Sequence, residues 1–134
     1  MSLRSWMRTR APAARVVAAS LMLATLVGPA EPARADVAAV VTLTNTFEFE
    51  PRAVTIHAGD AVEWRNGSRF NHTVTADPKL GSAALPPGAQ AFASVELHPG
   101  DSFRQVLSVP GTYRYFCTPH EGIGMTGEIT VLLR

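Results

Sequence analysis

The amino-acid sequence predicts an all-β fold, a Greek-key β-sandwich or barrel, that forms one domain after a signal peptide. Over residues 36–134, short runs of β-branched and aromatic residues alternate with polar ones. Gly, Pro and Asn turns separate these runs at steps of roughly ten residues. No stretch in this part of the chain shows the 3.6-residue apolar period of an amphipathic helix. The length of 134 residues also fits a single domain.

Residues 1–35 have the features of a secretory signal peptide. Their first 15 residues include four arginines, and no acidic residue precedes Glu31. The uncharged apolar run that follows, residues 16–27, suits a signal-peptide core and is too short to span a bilayer. The segment ends on Ala33-Arg34-Ala35, a small-x-small pattern, so we predict cleavage after Ala35. The alternative is a retained helix that anchors the protein to a membrane.

The predicted strands of the remaining domain, residues 36–134, follow one another at 37–43, 54–57, 62–65, 103–107, 113–117 and 129–133. Trp64, Tyr113 and Tyr115 are expected in the core, because the two tyrosines share the inward parity of Cys117. Residues 76–91 are rich in proline and glycine, and we predict that they form a long surface connection.

Charge and cysteine content exclude several classes of protein. The formal net charge is +1 for the whole chain, and residues 36–134 carry seven basic and ten acidic side chains, or −3. Such a domain has no basic face for nucleic acid. A single cysteine excludes an internal disulfide and any metal site that needs two thiolates from this chain. We expect a monomer with no membrane span in residues 36–134.

The segment 117–125, Cys-Thr-Pro-His-Glu-Gly-Ile-Gly-Met, carries the chemistry. An unpaired thiol oxidises in an exported protein, and metal ligation is one way to protect it. Cys117, His120 and Met125 form a soft donor set that suits copper. A trigonal copper site needs one more imidazole, and His72 is the candidate because it enters a predicted strand at Thr73–Thr75. The other two histidines, His57 and His98, lie beside turns and are expected at the surface.

At these residues the sequence resembles the cupredoxins, the small type 1 blue-copper proteins, and in particular the plastocyanin-like ones. Residues 111–125 have the C-x2-H-x4-M spacing of that ligand loop, and residues 71–74 are similar to the segment of the first histidine ligand. The resemblance implies one type 1 copper per chain, held by His72, Cys117, His120 and a weak axial Met125. It also implies that the backbone N–H of Thr73 donates to the sulfur of Cys117.

The function that the resemblance implies is electron transport outside the cytoplasm, in the periplasm or the extracellular space, and not enzyme catalysis. Single electrons would pass between protein redox partners. We expect the edge of His120 to reach the surface inside an apolar patch with Ile123, Leu85 and Pro86. The main alternative is a copper carrier or storage protein with an exchangeable site. A copper oxidase or reductase would need His-x-His pairs and several hundred residues, and a purely structural sandwich leaves the ligand spacing unexplained.

Overall fold

The computed structural model describes residues 34–134, so the predicted signal peptide lies outside the described residues except for its last two. The described part contains nine strands and one short 3₁₀ helix, Thr118–Ile123. The strands are β1 Val37–Leu43, β2 Phe49–Glu50, β3 Ala53–His57, β4 Ala61–Asn66, β5 Thr75–Ala76, β6 Phe92–Ala93, β7 Ser102–Val106, β8 Gly111–Phe116 and β9 Thr126–Leu132. The predicted all-β class is confirmed. No helix in this part of the chain has the length and apolar character needed to cross a membrane.

The strands form two mixed sheets. One has the order β2-β1-β4-β7, in which β1 runs parallel to β4 and the other neighbours are antiparallel. The second has the order β3-β9-β8-β5-β6, in which β3 runs parallel to β9. Because strands that follow one another in sequence often belong to different sheets, the chain crosses repeatedly between the two layers.

The inward-facing side chains of both sheets make one apolar core. Trp64 of β4 is fully buried, and its ring meets Tyr115 of β8 at a centroid distance of 5.4 Å in an edge-on arrangement. Phe49 of β2 meets the same tyrosine at 4.7 Å. Tyr113 is buried as well, so the core positions predicted for Trp64, Tyr113 and Tyr115 are confirmed. Burial of apolar surface at about 25 cal/mol per Å² is the main force that holds the layers together.

Two strands of two residues each, β2 and β6, were not predicted, because two residues show no detectable period. The strand predicted at Thr73–Thr75 is present only from Thr75 onward. Side chains replace its ladder partners: the N–H of Thr73 donates to the Cys117 sulfur, and the N–H of Val74 donates to Ser94 Oγ. His72 makes only an isolated bridge, with Leu97.

The connection at residues 76–91 is largely exposed, as predicted, but it is fixed to the second sheet. Ala84 and Arg114 exchange two backbone hydrogen bonds, of 3.2 and 2.8 Å. Gly111 has a φ of +131°, and a Cβ at this position would lie 2.5 Å from the Cβ of Pro86. This close approach requires glycine and places Pro86 at the start of β8, whereas Cys117 follows the end of that strand.

Candidate metal centre

Three of the four predicted donors meet at one point. Cys117 directly follows β8, His120 lies in the 3₁₀ helix, and His72 lies between β4 and β5. The donor atoms of these residues are all within 4.8 Å of one another. The Cys117 sulfur is 3.3 Å from Nδ1 of His120 and 3.7 Å from Nδ1 of His72. His72 and Cys117 are fully buried and His120 is half-buried, so the cluster lies just under the surface.

The fourth predicted donor, Met125, is fully buried in the same core. The backbone between the ligand candidates folds back on itself, because the Cys117 N–H donates to the Met125 carbonyl at 3.0 Å. The N–H of Met125 donates to the His120 carbonyl at 3.2 Å. Gly124, with a φ of +85°, ends the 3₁₀ helix and allows this return. The segment was predicted only as a loop, since one short 3₁₀ turn leaves no periodic signal.

Thr73 joins the two segments that carry the donors. Its N–H donates to the Cys117 sulfur at 3.3 Å, as the resemblance implies. Its hydroxyl oxygen accepts the backbone N–H of Thr118 at 2.8 Å. The residue after the first histidine therefore holds both the thiol and the chain that follows it. Hydrogen bonds to a ligating sulfur are one means by which a protein tunes a bound metal.

A buried polar network, missed by the sequence analysis, lies on the other side of His72. Ser68 Oγ is 2.8 Å from Nε2 of His72 and 2.8 Å from Oδ1 of Asn66. All three side chains are buried. In the sequence, Asn66 and Ser68 belong to an Asn-Gly-Ser turn, and turn residues of this type give no sign of a contact with a histidine four positions later.

Aromatic rings cover the cluster toward the surface. The Phe47 ring is 4.5 Å from the His120 ring and 6.1 Å from the His72 ring, and Phe70 lies 4.9 Å from Phe47. Phe47 has a φ of +60°, which is rare for a bulky residue. Phe70 is 41% exposed and Ile123 is 67% exposed. The apolar surface near His120 therefore includes two phenylalanines that the sequence analysis did not assign to it.

Leu85 and Pro86 were expected in this apolar surface, and that prediction is wrong. Pro86 packs on Gly111 at the beginning of β8, one strand length from Cys117. Leu85 is half-buried and packs against the core. The hydrogen bonds between Ala84 and Arg114 fix the connection there, and sequence spacing alone does not reveal this pairing.

The electrostatics of the cluster suit a neutral His72 imidazole and a protected thiol. Burial lowers the pKa of His72, and the neighbouring His120 lowers it further. Burial also raises the pKa of the Cys117 thiol, and the hydrogen bonds from Thr73 partly offset that effect. The cluster found among the described residues contains no carboxylate. Thiol and imidazole donors with an adjacent thioether fit copper, whereas magnesium and calcium prefer oxygen donors. His57 and His98 are exposed, as predicted.

Comparison with known proteins agrees with this geometry. Residues 35–132 match the model of the copper-binding proteins of the plastocyanin/azurin family. The chain is 45% identical over 87 residues to plastocyanin of Scenedesmus fuscus, covering 62% of this chain and 85% of that protein. It is 35% identical over 113 residues to plastocyanin of Prochlorothrix hollandica, covering 83% and 85%.

A solved structure shows the same fold. The oxidised form of plastocyanin from Dryopteris crassirhizoma superposes with a TM-score of 0.55 at 28% identity. The match covers 69% of this chain and 99% of that one. The sequence resemblance is therefore confirmed, and copper is the expected cofactor on independent grounds. The chain belongs to the plastocyanin/azurin family of copper-binding proteins.

Proposed function

We propose that this protein is an electron carrier and that His72, Cys117, His120 and Met125 hold its copper. The observation that carries the proposal is the convergence of two imidazoles and one thiol within 4.8 Å, beside a buried methionine. Copper bound there would supply one-electron chemistry by alternating between Cu(I) and Cu(II). The role is transport of electrons, and no substrate is transformed.

The protein's contribution is a donor set held in one arrangement. Cys117, His72 and Met125 are fully buried, so neighbouring side chains restrict their movement. Backbone hydrogen bonds link Cys117 to Met125 and His120 to Met125. A fixed donor set moves little when the charge at the site changes, which favours fast electron transfer. The N–H of Thr73 would stabilise the thiolate.

His120 is the proposed exit for the electron. It is half-buried, and Phe47, Phe70 and the exposed Ile123 surround it with apolar surface. A small apolar contact suits brief docking with a protein redox partner, since weak electron-transfer complexes bury little area. The net charge of −3 over residues 36–134 would steer a basic partner toward the protein, and salt would weaken that effect.

We further propose that residues 1–35 direct export and that residues 36–134 form the copper domain in the periplasm or the extracellular space. Two observations support this boundary. Strand β1 begins at Val37, the second residue after the predicted cleavage site, and the family match begins at residue 35. Ligation of Cys117 would also protect its thiol in an oxidising compartment.

The test is addition of Cu(II) to the purified protein. We expect an intense blue band that a reductant bleaches and an oxidant restores, with constant copper content. Cys117→Ser should abolish this band while the far-ultraviolet dichroism stays the same, because the thiolate is the source of the transition. A Cys117→Ser protein that remained equally blue would overturn the ligand assignment.

A copper carrier or storage protein is the alternative function, and the same preparation tests it. A carrier must release its metal readily, so rapid transfer of copper to a weak chelator would favour it. Complete burial of His72, Cys117 and Met125 argues against such exchange. We expect copper to remain bound through repeated cycles of reduction and oxidation.

A further inference from the structure

We propose that Ser68 is a positioning residue, whose hydroxyl fixes the tautomer and the ring orientation of His72 toward the copper site. The proposal rests on the function proposed above. Ser68 Oγ lies 2.8 Å from Nε2 of His72, on the side of the ring opposite the Cys117 sulfur. Ser68 is 6% exposed and His72 is fully buried, so water does not compete for this hydrogen bond.

The direction of the hydrogen bond follows from Asn66. One terminal atom of its side-chain amide lies 2.7 Å from the Phe70 carbonyl and 2.9 Å from the Leu97 carbonyl. Carbonyl oxygens only accept hydrogen bonds, so this atom is the NH₂ nitrogen. The other terminal atom, Oδ1, therefore faces Ser68 and must act as an acceptor. Two backbone carbonyls thus fix the orientation of the amide.

The Ser68 hydroxyl has one proton to donate, and its neighbours determine where it goes. Oδ1 of Asn66 lies 2.8 Å away and the Phe70 carbonyl 3.1 Å away, and both are acceptors. Either acceptor can take the proton, which then points away from His72; donation to Nε2 would instead place the ring proton of His72 on Nδ1, against the Cys117 sulfur. The Phe70 N–H donates to the hydroxyl oxygen at 3.1 Å, which leaves its second lone pair for His72 Nε2.

His72 consequently carries its proton on Nε2, and the lone pair of Nδ1 faces the Cys117 sulfur. A ligating imidazole needs a lone pair on the atom that meets the metal, so this tautomer is the competent one. The backbone restricts the ring further, because His72 and Leu97 exchange hydrogen bonds of 3.0 and 2.8 Å. Asn66 also donates to Leu97, so one network holds both the ring and its backbone.

The role in the turn and the role toward His72 can be separated. The turn itself needs the backbone N–H of Ser68, which donates to Oδ1 of Asn66 at 3.0 Å, and alanine keeps that group. Ser68→Ala therefore removes the partner of Nε2 and the acceptor of the Phe70 N–H, while it leaves this backbone bond in place. A matched control is Ser94→Ala, since Ser94 Oγ accepts the Val74 N–H at 2.9 Å nearby without touching His72.

The experiment compares the three proteins after loading with copper. Cu(I) affinity is measured by competition with a chelator, and exchange of the His72 Nε2 proton with water is followed by NMR in the diamagnetic Cu(I) form. Loss of a group that orients a ligand typically lowers metal affinity about 10- to 100-fold. We expect that loss, with faster exchange of the Nε2 proton, in Ser68→Ala and neither change in Ser94→Ala.

Three outcomes would overturn the proposal. In the first, Ser68→Ala changes neither the Cu(I) affinity nor the exchange of the Nε2 proton. In the second, Ser94→Ala changes both as much as Ser68→Ala does, which indicates that any such substitution loosens the structure around the site. In the third, His72 of the unsubstituted Cu(I) protein exchanges its Nε2 proton as fast as an exposed histidine does. That result would contradict the proposal even if Ser68→Ala does not fold. Failure of the proposed function is distinct, because the unsubstituted protein would then show no blue band.

Discussion

At the residue scale, Met125 combines complete burial with the candidate role of a weak ligand. It is the only methionine in residues 36–134 and belongs to the apolar core. Met125→Leu keeps a similar volume, so the cost in stability should be below about 1.5 kcal/mol. We expect the blue colour to persist and the reduction potential to rise, because a weak electron donor to Cu(II) is removed.

Potentiometric titration of the two proteins, followed at the blue band, measures this change. A lowered potential in Met125→Leu would show that the thioether does not donate axially to the copper. Loss of the band would indicate a different fault, a donor set that no longer assembles.

The sequence predicted the four donor candidates but not their surroundings. The short spacing among Cys117, His120 and Met125 allows one loop to bring them together, and the soft donor set then points to copper. Phe47 approaches the histidines through tertiary structure, and Ser68 approaches His72 through the conformation of the loop between them; no pattern in the sequence marks either contact. The positive φ of Phe47 was likewise not predicted. Outside glycine, asparagine is a usual residue in that conformation and phenylalanine is not.

At the scale of elements, strand β8 carries two buried tyrosines with different hydrogen bonding. The Tyr113 hydroxyl donates to the Val109 carbonyl at 2.7 Å, whereas the Tyr115 hydroxyl has no hydrogen-bond partner among residues 34–134. Tyr113→Phe should therefore lower the free energy of unfolding by about 1 kcal/mol at neutral pH. Tyr115→Phe should raise it by about 1 kcal/mol, because it removes a buried polar group that lacks a hydrogen bond.

Tyr115 also makes the free energy of unfolding depend on pH. Burial raises the pKa of Tyr115 well above its usual value, so the folded state resists ionisation that the unfolded state allows. The associated stability is fully present below about pH 10 and is lost as pH rises, by at most about 1.4 kcal/mol per unit. Denaturant unfolding at pH 7 and pH 11 should show a smaller alkaline loss for Tyr115→Phe than for the unsubstituted protein. Equal losses in the two would contradict this account.

Strands β8 and β9 are joined by one close contact that needs glycine. Gly127 pairs with Tyr115, and a Cβ at position 127 would lie 2.3 Å from the ring carbon that bears the hydroxyl. The ring is buried and has no room to move, so Gly127→Ala should cost about 1–3 kcal/mol of stability. Gly122→Ala is the control, because no atom of the described residues lies within 4 Å of a Cβ there. Equal midpoints of denaturant unfolding in the two variants would contradict the prediction.

Sequence alternation located the long strands well, because their inward positions are apolar and their outward positions polar. Strand β1 was predicted with the bounds that the structure has. Alternation did not predict which strands pair. The pairs β1–β4 and β3–β9 are parallel contacts between segments that lie far apart in the sequence. Thr73 and Val74 were predicted in a strand but are not part of one. Their N–H groups donate to side chains instead of to the backbone of a neighbouring strand.

At the scale of the whole molecule, the apolar surface near His120 and the net negative charge should have separable effects on the rate of electron transfer. Ile123→Glu adds a charge beside His120 without touching a donor, so the absorption spectrum should stay the same. Electron self-exchange and reduction by a partner should both slow, because a charge must lose water in the contact. Leu133→Glu is the matched control, since Leu133 is 77% exposed and follows β9 at the end away from Met125.

Stopped-flow kinetics at several salt concentrations distinguishes the two contributions. Steering by net charge should fade with added salt, and the defect of Ile123→Glu should persist. If Leu133→Glu slowed transfer as much as Ile123→Glu, the exit through His120 would be wrong.

The place of β9 between β3 and β8 determines when during synthesis the fold can be completed. This strand follows the other eight along the described part of the chain, and its parallel partner β3 lies about 70 residues earlier. A chain still emerging from the ribosome or from an export channel therefore lacks the middle of its second sheet. In such a chain His72 has already emerged while residues 117–125 are still inside the ribosome or the channel. On the proposed export route, the donor set first assembles on the far side of the membrane, and the metal supply of that compartment decides which ion the site receives.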